Sequence, residues 1–180
     1  MITFVTGNAN KLKEVKQLLG TDLESKKIDL PEMQGSYHDI VTAKVKEAAE
    51  QVHGPVVVDD TSLEFDAFGK ELPGPYIKWF LTQLGPEGLV KLLSGFENKS
   101  GSAVCSVGYC EGPGKPVHVF IGKTAGKIVD PRGPRDFGWD CIFEPTGFEK
   151  TYAEMEKSQK NEISHRGKAF AMLREFLQSK

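Results

Sequence analysis

Residues 2–15 constrain the fold most strongly, because they describe a strand that runs directly into a helix. The residues at 2–5 are strand formers, Gly7 permits a sharp backbone turn, and Asn8 can cap the first turn of a helix with its side-chain oxygen. From Leu12 onward, leucine and valine recur at helical spacing and give the helix one apolar face. The pattern predicts a βα unit, which is the building block of α/β proteins.

The start of this first helix is a candidate site for an anion such as phosphate. A helix N-terminus presents unpaired backbone N–H groups and the positive end of the helix dipole. Here Thr6, Asn8, Asn10 and Lys11 surround that point with donors. The same residues also fit an ordinary βα unit with an exposed, lysine-rich helix, since the spacing matches neither a Walker loop nor a GxGxxG motif.

Length and composition favour one domain that spans residues 1–180. A chain of 180 residues is long enough for a substantial core, and two lobes around one sheet would also fit this length. The net charge of −2 and the pI near 6.1 argue against a general nucleic-acid binder, which needs a basic face. An acidic small substrate would therefore need a local positive pocket.

The sequence also predicts a cytoplasmic protein with reduced cysteines. No apolar run approaches the length needed to span a membrane, and the first strand follows Met1 directly, which leaves no room for a signal peptide. Cys105, Cys110 and Cys141 lack the paired spacing of a zinc site. We expect them to be free thiols in or near strands.

The first part of the sequence alternates between strand and helix patterns, and the later part predicts antiparallel strands. We expect strands over 23–30, 56–58, 102–110, 117–121 with a continuation over 124–129 past a bulge at Gly122, and 141–143. We expect helices from Asp39 or Ile40 to Val52, over 76–84 and 86–93, and from about 157 to the end. The turn-rich segment 111–114 predicts a hairpin connection. Together these signals predict a mixed sheet, parallel at one end and antiparallel in its middle, with helices packed on it.

Asp59 and Asp60 are the strongest chemical signal in the chain. They follow the apolar run 56–58, and the carboxyl end of a central strand is where open α/β folds bind ligands. Mg²⁺ is held by one or two carboxylates together with substrate phosphates and waters, so either aspartate with Glu32, at the end of the second predicted strand, would suffice. In the alternative interpretation, the two aspartates only cap the turn that follows.

Three lysines are candidates for phosphate contacts. In a nucleotide site, Lys11, Lys44 and Lys78 would neutralise a phosphate chain, although each alone would also suit an exposed surface.

Aromatic and basic residues late in the chain could hold a purine. Phe137 and Trp139 could offer a stacking face above the carboxylate of Asp140, or they could be core residues where a strand begins. Ser164 lies at or near the start of the last helix, where a serine is a routine cap. The neighbouring His165 and Arg166 supply donors that would read an exocyclic oxygen on a purine.

These motifs together resemble the inosine triphosphate pyrophosphatase family, whose members hydrolyse non-standard purine nucleoside triphosphates. The similarity covers nearly the whole chain and is carried by residues 4–12, 27–32, 54–61, 72–80, 136–140 and 164–166. The segment Pro-Gly-Pro-Tyr-Ile-Lys-Trp at 73–79 is similar to the eukaryotic branch. The resemblance implies a two-lobed α/β single domain, with an elongated mixed β-sheet flanked by helices, a nucleotide cleft between the lobes, Mg²⁺ dependence and a homodimer.

The resemblance also implies the roles of individual residues. The triphosphate would be contacted by Thr6, Gly7, Asn8, Ala9, Asn10, Lys11 and Lys44. Mg²⁺ would be held by Glu32, Asp59 and Asp60, and the substrate would also be contacted by Asp59, Asp60, Thr61 and Lys78. The nucleoside would be held by Phe137, Gly138, Trp139, Asp140, Lys160, His165 and Arg166. The residues implied in catalysis are Lys11, Asp59 and Asp60.

One departure from the family concerns Asp59, because the eukaryotic enzymes usually carry Glu there. The side chain is one methylene shorter, and two roles are open to it, metal ligand or orienter of the attacking water. The implied reaction converts ITP, dITP or XTP to the monophosphate and pyrophosphate, by attack of water on the α-phosphorus, and keeps deaminated purines out of DNA and RNA. Two alternatives are a Mg²⁺-dependent nucleotide phosphatase and a non-catalytic nucleotide-binding module.

Overall fold

A computed structural model describes residues 1–20 and 22–180. The helices are α1 (Ala9–Leu19), α2 (Tyr37–Val52), α3 (Ile77–Leu92), α4 (Lys157–Ile163) and α5 (His165–Gln178). The strands are β1 (Ile2–Val5), β2 (Leu23–Lys26), β3 (Val56–Phe65), β4 (Pro73–Gly74), β5 (Ser100–Cys110), β6 (Val117–Ile128) and β7 (Phe143–Pro145). Short 3₁₀ turns cover Asp66–Phe68, Asp140–Ile142 and Tyr152–Glu154.

In this described part of the chain, seven strands form one mixed sheet. Its order is β2-β1-β3-β5-β6-β7, and β4 pairs with β3 beside this path. β1 runs parallel to β2 and to β3, whereas β3 with β4 and β6 with β7 are antiparallel. The predicted α/β fold, with a mixed sheet that is parallel at one end and is flanked by helices, is therefore confirmed.

The chain packs as two compact units. The first unit consists of Met1–Asp60, Cys105–Gly122 and Arg166–Lys180, and the second consists of Thr61–Val104 and Lys123–His165. Two units agree with the two-lobed fold that the resemblance implies, whereas the assignment of residues 1–180 to a single domain stays a prediction.

The core of the first unit lies on both faces of its strands. Alternate side chains of a strand point to opposite faces, so Val57 packs with α1 and α5, whereas Val56 and Val58 pack with α2. Gly108 on β5 permits the close approach of α2, because a Cβ at this position would lie 3.0 Å from Cβ of Val45. The sheet is thus covered on both faces in this unit, as expected for a strand as apolar as 56–58.

The core of the second unit is rich in aromatic side chains. Phe65, Trp139, Phe143 and Tyr152 are buried together, and the ring centroids of Phe143 and Tyr152 are 4.9 Å apart. α3 also packs on this core, and Gly85 (φ 67°) interrupts it where the sequence predicts two separate helices.

Several predicted strand bounds are wrong, and pairing explains the differences. β3 does not end at Val58 but continues to Phe65, because its second half pairs with β4 through Leu63 and Glu64. β2 ends at Lys26 instead of residue 30, since β1 offers it only four residues to pair with. Glu32 therefore lies in a loop and not at the end of a strand.

Other boundaries also differ. The last strand is Phe143–Pro145 and not 141–143, because Asp140–Ile142 forms a 3₁₀ turn. β6 is continuous over Val117–Ile128, so no break separates the two predicted pieces. α2 begins at Tyr37, earlier than predicted, since the Ser36 hydroxyl accepts a bond from the backbone N–H of Asp39 and caps the helix.

The cysteine prediction is confirmed, because Cys105, Cys110 and Cys141 are buried free thiols. Cys105 and Cys110 lie on β5, and Cys141 lies in the 3₁₀ turn before β7. Within residues 1–20 and 22–180, no helix combines the length and the apolar character that crossing a membrane requires.

Candidate functional site

The junction between β1 and α1 has the predicted cap. Asn8 Oδ1 accepts bonds from the backbone N–H groups of Asn10 (3.0 Å) and Lys11 (3.2 Å), and Thr6 Oγ1 accepts one from the N–H of Asn8 (3.1 Å). Two of the N–H groups expected to face an anion are thus bonded within the chain. Gly7 packs against the side chain of Lys27, where a Cβ would lie 3.3 Å from its Cε.

Asp59 and Asp60 lie inside β3 and not beyond its end, which corrects the predicted placement. Because neighbours on a strand point to opposite faces, the two carboxylates are held by different partners. Asp59 faces the side of α1 and α5, and Asp60 faces the side of α2. The sequence analysis predicted both aspartates at one strand end. In the structure, each belongs to a separate group of charged side chains.

Asp59 is bonded through both of its carboxylate oxygens. Lys11 Nζ donates to Oδ1 at 3.3 Å, and Arg166 Nε donates to Oδ2 at 2.9 Å. Burial alone would raise the pKa of Asp59, but the charges of Lys11 and Arg166 outweigh it and hold the pKa below its ordinary value. Asp59 is therefore a carboxylate at neutral pH, with two cations offsetting its charge.

Cys105 lies beside the same carboxylate, with Sγ 3.9 Å from Asp59 Oδ2. Burial, and next the negative charge of Asp59, raise the pKa of this thiol to about 12. Cys105 is therefore a neutral thiol at physiological pH.

Glu14 is a member of this group that sequence reasoning missed. Its Oε2 accepts a bond of 2.6 Å from Arg166 Nη1, and both side chains are only 1% exposed. Glu14 lies on α1, three residues after Lys11 and beside the buried Val15, so a charged residue on the apolar side of the helix was the available signal. Glu14, Arg166, Asp59 and Lys11 form what we call the inner group.

Asp60 belongs to a second set, the outer group, which also contains Lys44 and Glu32. Lys44 Nζ lies 3.2 Å from Asp60 Oδ1 and 3.6 Å from Glu32 Oε2. Burial raises the pKa of Asp60 even though Lys44 opposes the rise. Burial would lower the pKa of Lys44, but Asp60 and Glu32 outweigh it and raise the pKa. Lys44 is therefore fully protonated, and two carboxylates converge on its one cation.

The outer group has the donor chemistry that a hard divalent cation requires. The carboxylates of Asp60 and Glu32 both approach the ammonium group of Lys44. When both are ionised, the single charge of Lys44 neutralises only one of them. Among residues 1–20 and 22–180, no group of three or more His, Cys, Asp or Glu side chains is arranged to hold a metal ion. That result is compatible with Mg²⁺, which binds through one or two carboxylates plus phosphates and waters. Asp59 is the poorer ligand of the two aspartates, since its oxygens are already bonded to cations.

In the second unit, a buried lysine joins two residues predicted to hold the nucleoside. Lys160 Nζ donates to Asp140 Oδ2 at 2.6 Å, and the Lys160 side chain is 0% exposed. The same ammonium group lies 4.2 Å from the ring centroid of Phe137, and Lys157 Nζ lies 4.9 Å from it. Phe137 is thus a half-buried ring beside two cations, next to Gly138, whose positive φ of 54° forms the turn before Trp139.

Trp139 and His165 pack with an aromatic residue that the sequence analysis did not select. His165 stacks on Tyr152 with ring centroids 5.5 Å apart and an interplanar angle of 7°. Trp139 is buried in the core and lies 5.5 Å from the His165 ring. The structure therefore has Trp139 as a core residue, which was one of its two predicted roles, and brings it to His165.

The remaining predicted residues of the second unit are more peripheral. Lys78 is exposed on α3, and its Nζ lies 5.9 Å from the ring centroid of Trp79. Thr61 follows Asp60 on β3 and is half-buried. Arg166 lies in the first unit, bonded to Asp59 and Glu14, and its predicted contact with the base stays a prediction.

Comparison with known proteins gives consistent matches over nearly the whole chain. The sequence profile of the Ham1 family matches residues 2–176. An inosine triphosphate pyrophosphatase of Scheffersomyces stipitis is 54% identical over 191 aligned residues, which cover 99% of this chain and 98% of that protein. Among solved structures, a HAM1 protein from Coxiella burnetii matches with a TM-score of 0.86 and 26% identity, over 99% of this chain and 98% of that one.

For another similar structure, the name of the protein states its substrates. The nucleoside-triphosphatase, or dITP/XTP pyrophosphatase, from Mycobacterium abscessus matches with a TM-score of 0.72 and 28% identity, over 96% of this chain and 97% of that one.

Proposed function

The chain belongs to the Ham1 family, and we propose that it hydrolyses non-standard purine nucleoside triphosphates, among them ITP, dITP and XTP, to the monophosphate and pyrophosphate. Removal of these nucleotides would keep deaminated purines out of DNA and RNA. The observation that carries the proposal is the pairing in the first unit, where the inner and outer groups together contain three cations and four carboxylates, Asp59 and Asp60 among them.

Lys11 and Lys44 are the cations best suited to the triphosphate. The Lys11 side chain is 19% exposed and that of Lys44 is 10% exposed, whereas the Arg166 side chain is 1% exposed. Both ammonium groups are also bonded to carboxylates, so they are held in place before the substrate binds. Lys11 follows the N-terminus of α1, where the helix dipole also favours negative charge. The residues 6–10 would add polar contacts to the same phosphates.

Glu32 and Asp60 are the residues that we propose to hold Mg²⁺. Their carboxylates approach one cation from different segments, a loop and β3. When bound, Mg²⁺ offsets the charge that develops on the phosphate oxygens as pyrophosphate leaves. Lys44 lies beside both carboxylates and would share this neutralisation by contacting the phosphate chain.

Asp59 is the residue that we propose to orient the attacking water. Its pairing with Arg166 and Lys11 makes it a weak metal ligand, but the pairing also holds the carboxylate in one orientation. A fixed carboxylate oxygen can accept a hydrogen bond from water and align it with the α-phosphorus. The oxygen of that water would bond to the α-phosphorus, and the bond from the α-phosphorus to the oxygen between the α- and β-phosphates would break. Pyrophosphate would leave with that oxygen, and the proton of the water would pass to the solvent.

We propose that residues of the second unit select the base. Phe137 offers a ring for stacking. The buried Lys160 lies beside this ring, and the buried His165 lies beside the ring of Trp139. Stacking is tolerant of base identity, so selectivity requires donors directed at the C6 oxygen of hypoxanthine or xanthine. Adenine presents an amino group at this position, and each mismatched buried polar group costs about 1–3 kcal/mol, or roughly ten- to a hundredfold in specificity.

We further propose a cytoplasmic homodimer that does not bind nucleic acid directly. The buried free thiols suit a reducing compartment. The net charge of −2 does not favour binding to a polyanion. Large apolar side chains are exposed in the second unit at Leu72, Trp79 and Leu84, and such side chains are frequent at subunit interfaces. Light scattering on the purified protein would measure the oligomeric state.

The proposed function is tested by product analysis on the purified protein. With Mg²⁺, ITP should yield IMP and pyrophosphate in equal amounts, whereas ATP and GTP should be much poorer substrates in kcat/KM. A chelator should abolish the reaction, and added Mg²⁺ should restore it. Release of orthophosphate from ITP would indicate a phosphatase instead, and saturable binding of ITP without turnover would indicate a binding module.

A further inference from the structure

We propose that Glu14 is a positioning residue for hydrolysis, which acts by fixing Arg166 and, through Arg166, the carboxylate of Asp59. The inference rests on the proposed function and extends it to a residue that neither the sequence motifs nor the resemblance selects. It is carried by the geometry of the inner group, in which Glu14 and Asp59 share one guanidinium group.

The donors of Arg166 are divided between two carboxylates. Nη1 donates to Glu14 Oε2 at 2.6 Å, and Nε donates to Asp59 Oδ2 at 2.9 Å. A guanidinium group is planar and rigid, so fixing one of its edges fixes the direction of its remaining donors. Glu14 therefore determines which edge of Arg166 is presented to Asp59.

The charges of the inner group support the same assignment. Glu14 and Asp59 contribute two negative charges, and Arg166 and Lys11 contribute two positive charges, so the group is neutral as a whole. Without the charge of Glu14, two cations would compete for Asp59 alone. Arg166 could then turn its fork toward both oxygens of Asp59, because Arg prefers bidentate contacts with carboxylates. The carboxylate of Asp59 would then be turned away from the orientation in which it accepts a hydrogen bond from the attacking water.

The fold explains why this contact needs a buried carboxylate on α1. Glu14 lies on α1, Asp59 on β3 and Arg166 at the start of α5, so the chain of contacts connects three elements of the first unit. None of the side chains of Glu14, Arg166 and Asp59 is more than 2% exposed, and water therefore cannot replace Glu14 as the partner of Arg166. A purely structural role for Glu14 would also use this ion pair, so stability alone cannot test the proposal.

The test compares Glu14→Gln with a matched control, Glu64→Gln. Glu64 is also a buried glutamate in an ion pair, with Lys123 at 2.9 Å, but it belongs to neither group. For each purified variant, kcat and KM for ITP are measured by pyrophosphate release, and folding is measured by urea unfolding. We expect Glu14→Gln to lower kcat by about 10- to 100-fold with KM nearly unchanged, the scale expected when a reacting group is misplaced. Glu64→Gln should retain the kcat of the wild type.

A double variant separates positioning from general destabilisation. If Glu14 acts through Asp59, Glu14→Gln should have no further effect on kcat in an Asp59→Asn background, because the group that it positions has been replaced. A loss of kcat that multiplies independently in the double variant would overturn the proposal. So would a wild-type kcat in a folded Glu14→Gln protein.

The conservative variant Glu14→Asp keeps the charge and shortens its reach. Its kcat should lie between that of the wild type and that of Glu14→Gln, and it decides the question if Glu14→Gln does not fold. In that case, an unchanged kcat in Glu14→Asp would contradict the proposal. Failure of the proposed function is seen separately, since the wild type would then release no pyrophosphate from ITP.

Discussion

The substitution Asp59→Asn is expected to destabilise the protein in a way that depends on pH. It keeps the shape of the side chain but removes one negative charge from the inner group. Lys11 is partly exposed and can turn toward water, whereas Arg166 is 1% exposed and loses the charge of one of the two carboxylates that it contacts. The cost therefore comes mainly from the guanidinium group, which stays buried with part of its charge uncompensated.

The magnitude follows from the burial of this pair. Removal of one partner from a buried ion pair costs about 3–5 kcal/mol, and the remaining contact with Glu14 places Asp59→Asn near the lower limit of about 3 kcal/mol. For a chain of this size, each kcal/mol lowers Tm by about 2–4 °C, so we expect a fall of about 6–12 °C at neutral pH.

The pH dependence has a definite sign. The pKa of Asp59 in the folded protein lies below the ordinary value of 3.8, because Lys11 and Arg166 outweigh the effect of burial. The contribution of its charge to stability is therefore fully present above about pH 4 and is lost as the pH falls through the folded-state pKa. In acid, wild-type Asp59 becomes neutral like asparagine, and the difference between the two proteins should shrink.

Urea unfolding followed by fluorescence at pH 7, 5 and 3 measures this difference, and urea adds no salt that would screen charges. Glu144→Gln is the control, since Glu144 pairs with Lys127 and Arg132, whose side chains are 59% and 43% exposed. Although Glu144 itself is buried, both of its cations can turn toward water when its charge is removed, so each pair should contribute at most about 1 kcal/mol. The reasoning would be refuted if Asp59→Asn cost no more than this control at pH 7, or cost the same at pH 7 and pH 3.

Three further predictions concern the proposed site. Asp60→Asn should leave the fold intact but nearly abolish ITP hydrolysis at limiting Mg²⁺, because an amide is a poor ligand for a hard cation; near-wild-type turnover would remove Asp60 from the metal site. Lys11→Ala should weaken binding of an ITP analogue that resists hydrolysis more than binding of IMP, measured by calorimetry, since IMP lacks the β- and γ-phosphates; equal losses would contradict this. Lys160→Met should lower the free energy of unfolding by about 3–5 kcal/mol by leaving Asp140 buried without its cation, and Lys160→Met combined with Asp140→Asn should recover part of the loss in urea unfolding. If the double variant is less stable than Lys160→Met alone, the buried pair is not the cause.

Local signals in the sequence predicted local structure well. Asn8 caps α1, as its residue type predicts. The apolar run 56–58 was correctly identified as a buried strand. Its length was not predictable, because the second half of β3 depends on pairing with the two residues of β4.

Contacts between distant residues limited the prediction of the site. The adjacent aspartates marked the position of the chemistry, but their separation onto two faces required knowing that β3 continues beyond Asp60. Glu14 and Arg166 are 152 residues apart in the sequence, and no pattern on either helix indicates that they meet. Similarly, the sequence was compatible with two roles for Trp139, stacking on a base or packing in the core. Its packing against His165 and the buried aromatic residues identifies it as a core residue.

Hydrolysis of ITP by the wild type in ¹⁸O-labelled water, with Mg²⁺ present, tests the central claim most directly. If water attacks the α-phosphorus, one labelled oxygen should appear in each IMP and none in pyrophosphate, as measured by mass spectrometry of both products. Label in pyrophosphate would place the attack on the β-phosphorus, and labelled orthophosphate with IDP would place it on the γ-phosphorus. Either result would contradict the proposed pyrophosphohydrolase reaction at the α-phosphorus.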